Sequence, residues 1–411
     1  MKALALSVCL LLAAVSLFAQ ETRYRLERVV VEGSNIDEDI IRAETRLVEE
    51  KSYTEEDFRQ GVYRVRRLPF VTDAVYRIEP GVTGGGSTLV IRILDTTPVF
   101  YGLNVASQRV SDGDNETTGD ALLGGRWLLD NLGVLETAVQ KSEGEDGFLA
   151  GLAYRAYDIY GTGGFATIAV SQRFKAEPRL YDPTPVISLG YPLTQRQTLT
   201  LTASRFKQRL PRDFDVEGDD DGDDDTDADE DDNRTLTDRD RFLFAELRWW
   251  YETHDDPIFT TRGVQLSFGP RWSSVENVTE AYDFDEEDVV ATESDSTAYG
   301  FALDAAGYHP LTRRNSVFLR LGGDASRTDE TELEFLNGAA RVGFTHDFHS
   351  YSTDTLRPFR ARIEIAGGYR GSIFRPETGP ELRDTSAFGE AAFVMRHRWG
   401  SIRVSALYDA D

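Results

Sequence analysis

The chain has 411 residues, with 71 acidic side chains against 45 basic ones and a formal net charge of −26. That length admits two or more domains, and that charge argues against nucleic acid as a partner. The single cysteine, Cys9, lies near the N-terminus, so the rest of the chain offers no disulfide and no cysteine metal site.

The first segment reads as a secretory signal over residues 1–19. Lys2 supplies the charge, and the apolar run "ALALSVCLLLAAVSLFA" ends on Ala19. A retained transmembrane helix is the rival reading. No later run reaches the ~18 apolar residues of a spanning helix.

Residues 22–96 read as one compact α/β unit in the order β-α-α-β-β. "YRLERVVVEG" is a β-branched strand ending on Gly33. "DEDIIRAETRL" opens with acids suited to a helix N-terminus and puts Ile40, Ala43 and Leu47 on one side. "TEEDFRQGVYRVRRL" starts on a Thr54 cap, with Phe58, Val62 and Val65 at helical spacing. "TDAVYRIEPG" and "STLVIRILDT" are strands joined by a "VTGGG" turn.

From Pro98 to residue 411 the helical period gives way to alternation. In "FLFAELRWWYE", Leu243, Ala245, Leu247, Trp249 and Tyr251 alternate with Phe244, Glu246, Arg248 and Trp250. "RGVQLSFGPRW", "SVFLRLGGDAS" and "SIRVSALYDA" repeat the pattern. One apolar face and one charged face over ~10 residues is the signature of a tilted membrane strand with lipid on one side and water on the other. Fifteen such segments are read, the first near 98–109 and the last near 401–411. With the N-terminal unit on the inner side, inward connections are short ("PLTQRQ", "HPLTRRN") and outward ones long. The five tryptophans Trp127, Trp249, Trp250, Trp272 and Trp399 are available for aromatic girdles.

Acidity sits in two places. Residues 213–232 contribute −14 and residues 276–295 contribute −9, leaving the remainder near neutral. Both fall after outward-running strands, so 212–235 and 275–295 are expected as outer loops. A calcium loop on Asp213, Asp215, Glu217 and Asp224 nearly fits one register, but no helix pattern precedes it and Asp224 stands where a Glu is wanted. The stretch reads better as a solvated loop tip.

Catalytic signatures are missing. "HDFH" places His346 and His349 three apart, which puts the two rings on opposite faces of a strand. No Gly-x-Ser-x-Gly elbow or phosphate loop is found. No enzyme activity, cofactor or metal is expected.

Three motifs carry a family resemblance. "VVVEGSNID" and "YRVRRLPFVTDAVYRIEPG", with Leu68, Phe70, Val71 and Val75 at its apolar positions, resemble a POTRA domain. "DDPIFTTRGVQLSFG" looks like the inner turn of the BamA/TamA superfamily, with Pro257 and Gly263 flanking the strand start. "GGYRGSIFRPETGP" resembles that family's loop folded into the lumen, with Gly368, Arg370 and Gly371 as its motif, although Ser372 replaces the aromatic; "NGAARVGF", with Arg341, is the weaker candidate. The chain is therefore similar to outer-membrane assembly and translocation proteins, including two-partner secretion transporters.

The resemblance implies a fold: an α+β POTRA domain followed by an all-β antiparallel barrel of about 16 strands when complete. It implies a place, the bacterial outer membrane with the N-terminal domain in the periplasm. It implies partners: unfolded outer-membrane or secreted polypeptides, outer-membrane lipid, and accessory lipoproteins as candidates. The implied function is capture of extended polypeptide by β-augmentation at the edge strand, on Thr72, Ala74, Val75, Tyr76 and Ile78, then insertion or translocation at a weak seam between first and last barrel strands. A dedicated secretion transporter and a passive channel are the alternatives. Because "SALYDAD" looks like a family strand that others follow, the chain is expected to be a fragment lacking roughly the last one to four strands, with an open edge unsatisfied in lipid.

Overall fold

The computed structural model describes residues 22–109, 115–129, 133–143, 147–174, 183–212, 236–283, 288–328, 334–349, 355–375 and 381–410. The expected signal (1–19) and the acidic run 213–232, with its near-fit to a calcium loop, lie outside them.

The N-terminal unit runs β1 (Arg23–Glu32), α1 (Glu38–Thr45), β2 (Ser52–Thr54), α2 (Glu55–Arg67), β3 (Val71–Pro80) and β4 (Gly86–Asp95). Its sheet order is β2-β1-β4-β3, with β1 and β4 parallel. The sequence pattern missed only the three-residue β2. Thr54 caps α2 as expected: its hydroxyl accepts the Asp57 N–H at 3.2 Å, and the Asp57 carboxylate accepts the Thr54 N–H at 3.0 Å. Acids fill the first turn of α2, and Arg64, Arg66 and Arg67 fill the last, both matching the helix dipole. The core holds Leu26, Val29, Ile41, Phe58, Val62, Leu89 and Ile91, each contributing about 1.5–3 kcal/mol when fully buried.

The barrel strands are β5 (Val99–Arg109), β6 (Asn115–Leu129), β7 (Gly133–Ser142), β8 (Phe148–Ala156), β9 (Phe165–Phe174), β10 (Thr184–Pro192), β11 (Gln197–Arg212), β12 (Leu236–Glu252), β13 (Gly263–Asp283), β14 (Asp288–Pro310), β15 (Asn315–Thr328), β16 (Glu334–Asp347), β17 (Phe359–Arg375), β18 (Leu382–His397) and β19 (Gly400–Ala410). They match the fifteen segments read from alternation. They close into one barrel, β19 pairing with β5.

Three expectations are corrected here. The barrel closes on fifteen strands rather than about 16, and no edge is left open. In an up-and-down barrel an odd number makes the first and last strands run the same way, so the closure is parallel while every other barrel pair is antiparallel. The fold is therefore not wholly antiparallel. Third, most of 275–295 is strand. β13 and β14 stay paired out to Asp283 and Asp288. The 23 residues of β14 at ~3.3 Å each far exceed a ~30 Å hydrocarbon layer. Beyond lipid, acids cost nothing on either face, and backbone pairing continues.

The outer surface is apolar. Leu103, Leu189, Leu247, Phe268, Leu319 and Ile365 all stand exposed on it. That belt is the architecture of a bacterial outer-membrane barrel. Trp127 and Trp399 are also exposed, and Trp249 stacks on Tyr251 beside Phe268, forming an aromatic rim at the inner end. Trp250 is a correction to the girdle: it lies on the opposite face of β12, where its indole donates to Thr200 across the lumen wall.

Candidate functional site at the inner mouth of the barrel

The N-terminal unit docks on the inner rim. Its core continues into the barrel through Val134 and Tyr157, and Phe70 meets the Tyr157 ring edge-on at 5.8 Å. The centre of the contact is the connection 253–262 between β12 and β13.

Two aspartates shape that connection. Asp255 accepts the N–H groups of Thr261 (2.9 Å) and Arg262 (3.2 Å) and the Thr261 hydroxyl (2.5 Å). Asp256 accepts the N–H groups of Ile258 (3.0 Å) and Phe259 (2.7 Å), an Asx-type turn around Pro257. Gly263 follows with φ +115°, and a Cβ there would collide with the Thr253 carbonyl. The expected inner-turn pair, Pro257 and Gly263, thus sits at an inner turn. The aspartates that hold it were not singled out from sequence.

The connection also reaches across the mouth. The second Asp256 oxygen is bound by Arg360 at the start of β17 and lies 3.5 Å from Arg66 of α2. Arg66 also donates to the Ala74 carbonyl at 2.6 Å. Phe259, 1% exposed, packs against the guanidinium of Arg360 at 4.5 Å and that of Arg362 at 5.5 Å. Arg362 forks onto Asp347 at 2.6 and 2.9 Å and reaches the Thr260 carbonyl at 2.9 Å. β14 and β15 stand between these strand pairs in the barrel, so the connection acts as a strut from one wall to another. Burial alone would raise the Asp256 carboxyl. Arg360 and Arg66 overcome it and hold the group well below the usual carboxylate range.

Helix α2 forms a floor under the lumen. Gln60 donates to the His254 carbonyl at 3.2 Å, and Tyr63 and Arg67 both donate to Glu252, Arg67 at 2.5 Å. Arg64 donates to the Gln195 carbonyl. From α1, Arg46 donates to the Thr194 carbonyl at 2.9 Å. Burial and the neighbouring Glu252 push the Tyr63 hydroxyl far up, so it stays a hydrogen-bond donor.

Two predicted sites need restating. β3 is an edge strand, as expected, but Thr72, Ala74, Val75 and Tyr76 are buried. The Ala74 N–H is taken by the Asp73 carboxylate and its carbonyl by Arg66. The Asp73 carboxylate also accepts the Arg357 N–H at 2.9 Å, and Arg396 donates to the Val71 carbonyl at 3.0 Å. Only the end from Arg77 is open, with Ile78 half-buried. The barrel covers the rest, which no local sequence pattern could show.

Gly368, Arg370 and Gly371 do not lie in a loop. They sit inside β17, opposite Arg341, Ala339 and Gly338 of β16, and Arg370 donates to Ser386 of β18 at 3.0 Å. The family resemblance implied a loop, but the flanking strands supply their ladder partners. The other candidate, Arg341, is likewise on a wall strand, where it pairs with Glu390 at 2.9 Å. His346 contacts Asn315 at 2.8 Å, and no group of three metal-binding side chains occurs among the described residues.

No family model and no curated protein matches the chain. Similar solved structures include the following three. BamA from Haemophilus ducreyi lacking POTRA domains 1–3 is 10% identical with a TM-score of 0.38, over 93% of this chain and 84% of that one. CdiB from Acinetobacter baumannii is 10% identical with a TM-score of 0.42, over 91% and 70%. CdiB from Escherichia coli is 11% identical with a TM-score of 0.49, over 94% and 73%. The likeness concerns architecture, and what the site does follows from its own geometry.

Proposed function

We propose that this protein handles extended polypeptide at the outer membrane, inserting β-strands into lipid or passing them across it. The N-terminal unit, read as a POTRA domain, faces the periplasm and takes up a client strand on the open end of β3 by β-augmentation. The barrel then offers the β19–β5 seam as the place where client strands pair.

The observation that carries this reading is the seam. It is the single parallel contact among the described barrel strands, running from Gly400↔Tyr101 to Tyr408↔Arg109. Parallel pairing is slightly weaker per residue than antiparallel pairing. The seam starts at Gly400, where a Cβ would collide with the Tyr101 carbonyl. An exposed strand edge in lipid is unsatisfied, so an edge freed there has a strong drive to pair. No nucleotide hydrolysis is needed, and we read the protein as a non-enzyme without cofactor.

Ser405 and Ala106 face each other across the seam. Cysteines at both positions, oxidised, are expected to stop client assembly, with activity restored by reductant; full activity in the cross-linked form would overturn the seam role. Depletion of the protein should lower many outer-membrane proteins together. Loss of one exported polypeptide alone would instead mark a dedicated secretion transporter.

A further inference from the structure

Most lumen arginines are paired with acids: Arg126 with Glu136, Arg248 with Glu246 at 2.6 Å, Arg341 with Glu390 at 2.9 Å, and Arg403 with Glu390. Arg320 of β15 instead donates to the Tyr308 hydroxyl at 2.9 Å, and three further arginines without an acid partner gather in one place. A cavity of about 340 Å³ lies between α2 and the walls β8 to β12. Arg46, Arg64 and Arg155 line it, and none of them forms an ion pair among the described residues.

Their hydrogen bonds go to neutral groups. Arg46 reaches Thr194 and Gln197 carbonyls and the Thr198 hydroxyl. Arg64 is held by the carbonyls of Glu44, Thr45 and Gln195 and by the Gln195 side chain. Arg155 donates to the Thr167 hydroxyl at 3.0 Å. Such contacts satisfy N–H groups without cancelling charge. Three acids also line the cavity. Glu252 is taken by Arg67, and Glu246 by Arg248. Glu44 remains, and burial pushes its carboxyl up towards the neutral form despite the arginines around it. Burial and the adjacent Arg46 pull Arg64 down to about 9.

We infer that this cavity is a binding site for a small oxyanion, a phosphate or carboxylate group seated among Arg46, Arg64 and Arg155. Arg64 is buried and Arg46 and Arg155 are half-buried; guanidiniums drawn out of water with no acid in ion-pair contact are costly, and a charge-assisted bond to an oxyanion removes that cost. The oxyanion can arrive free in solution or as an acidic side chain of a polypeptide in the lumen. The site is independent of the proposed seam, so either can fail alone.

The test uses the refolded full-length chain in detergent micelles at constant ionic strength. Calorimetric titration is done with inorganic phosphate and, separately, with a tetra-aspartate peptide. Arg155→Gln, on the barrel wall and away from the α2 contacts, is expected to weaken binding about tenfold. Arg370→Gln, in another part of the lumen, is expected to leave it unchanged. Phosphate binding lost in Arg155→Gln supports a free-anion site. Peptide binding alone, lost in the same variant, supports a polypeptide carboxylate. No binding of either probe, or binding equal in Arg155→Gln and the parent chain, overturns the inference. Heat-modifiable migration of each variant verifies that the barrel has folded.

Discussion

The N-terminal unit and the barrel use the same side chains in opposite ways. Leu26, Phe58 and Ile91 of the N-terminal unit are 0% exposed, whereas Leu189, Leu247 and Ile365 of the barrel are 48%, 42% and 56% exposed. Charges invert too: Arg77 and Glu32 pair on the outside of the N-terminal sheet, while Arg362, at 1% exposure, pairs with Asp347 inside the mouth. The difference is the solvent. Water surrounds the first unit, and lipid surrounds the second. The two rules meet at the inner mouth, where the N-terminal core and the barrel's ionic lining are in contact through the strut 253–262.

The sharpest way to break that meeting is Asp256→Ala. It leaves Arg360 and Arg66 buried without their shared carboxylate and is expected to cost about 3–5 kcal/mol at the junction. The N-terminal unit should become cleavable from an intact barrel in limited proteolysis. A digestion pattern like that of the parent chain would remove the strut from the account. Phe259→Ala deletes the ring between two guanidiniums and is expected to cost about 3 kcal/mol, read as a lower urea midpoint for loss of the docked unit. Gly263→Ala puts a Cβ on a residue at φ +115° and is expected to cost about 1–3 kcal/mol.

Two smaller effects sharpen the contrast. His254 is buried against Tyr63 and Tyr308, and burial lowers its pKa below the ordinary value. A histidine kept neutral by folding contributes stability that is fully present above ~6.5 and lost as pH falls through its depressed folded value. Asp256, also depressed, loses its contribution only in acid well below ~3.9. Mild acid should therefore loosen the junction slightly, and His254→Phe should flatten that slope; an unchanged slope would place the titration elsewhere. Arg77→Ala, on the open end of β3, is expected to change stability by less than ~0.5 kcal/mol. In the proposed function it acts on client capture instead, measured by photo-cross-linking from position 78.

How much was legible follows from the range of the signal. Thr54 announces α2 because a cap is local, and Asp57 completes it in the structure. Alternation such as Leu243 to Tyr251 announces a barrel strand because side-chain period is local too. Expectation failed at Arg370–Gly371 of β17, which the family resemblance put in a loop, and in the acidic ends of β13 and β14, which were expected as loop. Pairing with neighbours kept those segments as strand. The junction was out of reach: Arg66 meets Asp256 across 190 positions and Arg360 meets Asp256 across 104. Its signs, the alternating Arg360, Arg362 and Glu364, read equally as an ordinary lumen face.

The sequence by itself determined the two solvents and hence the two architectures, because burial period and capping act within a few residues. The family resemblance of its sequence marked Pro257 and Gly263 as flanking an inner turn, and the chain turns there. Only the tertiary structure decided that the barrel closes through a parallel seam, that β3 is covered up to Tyr76, and that α2 floors the lumen. Those outcomes depend on which distant surfaces lie face to face, and the free energy of excluding water between them exists only once the chain has closed.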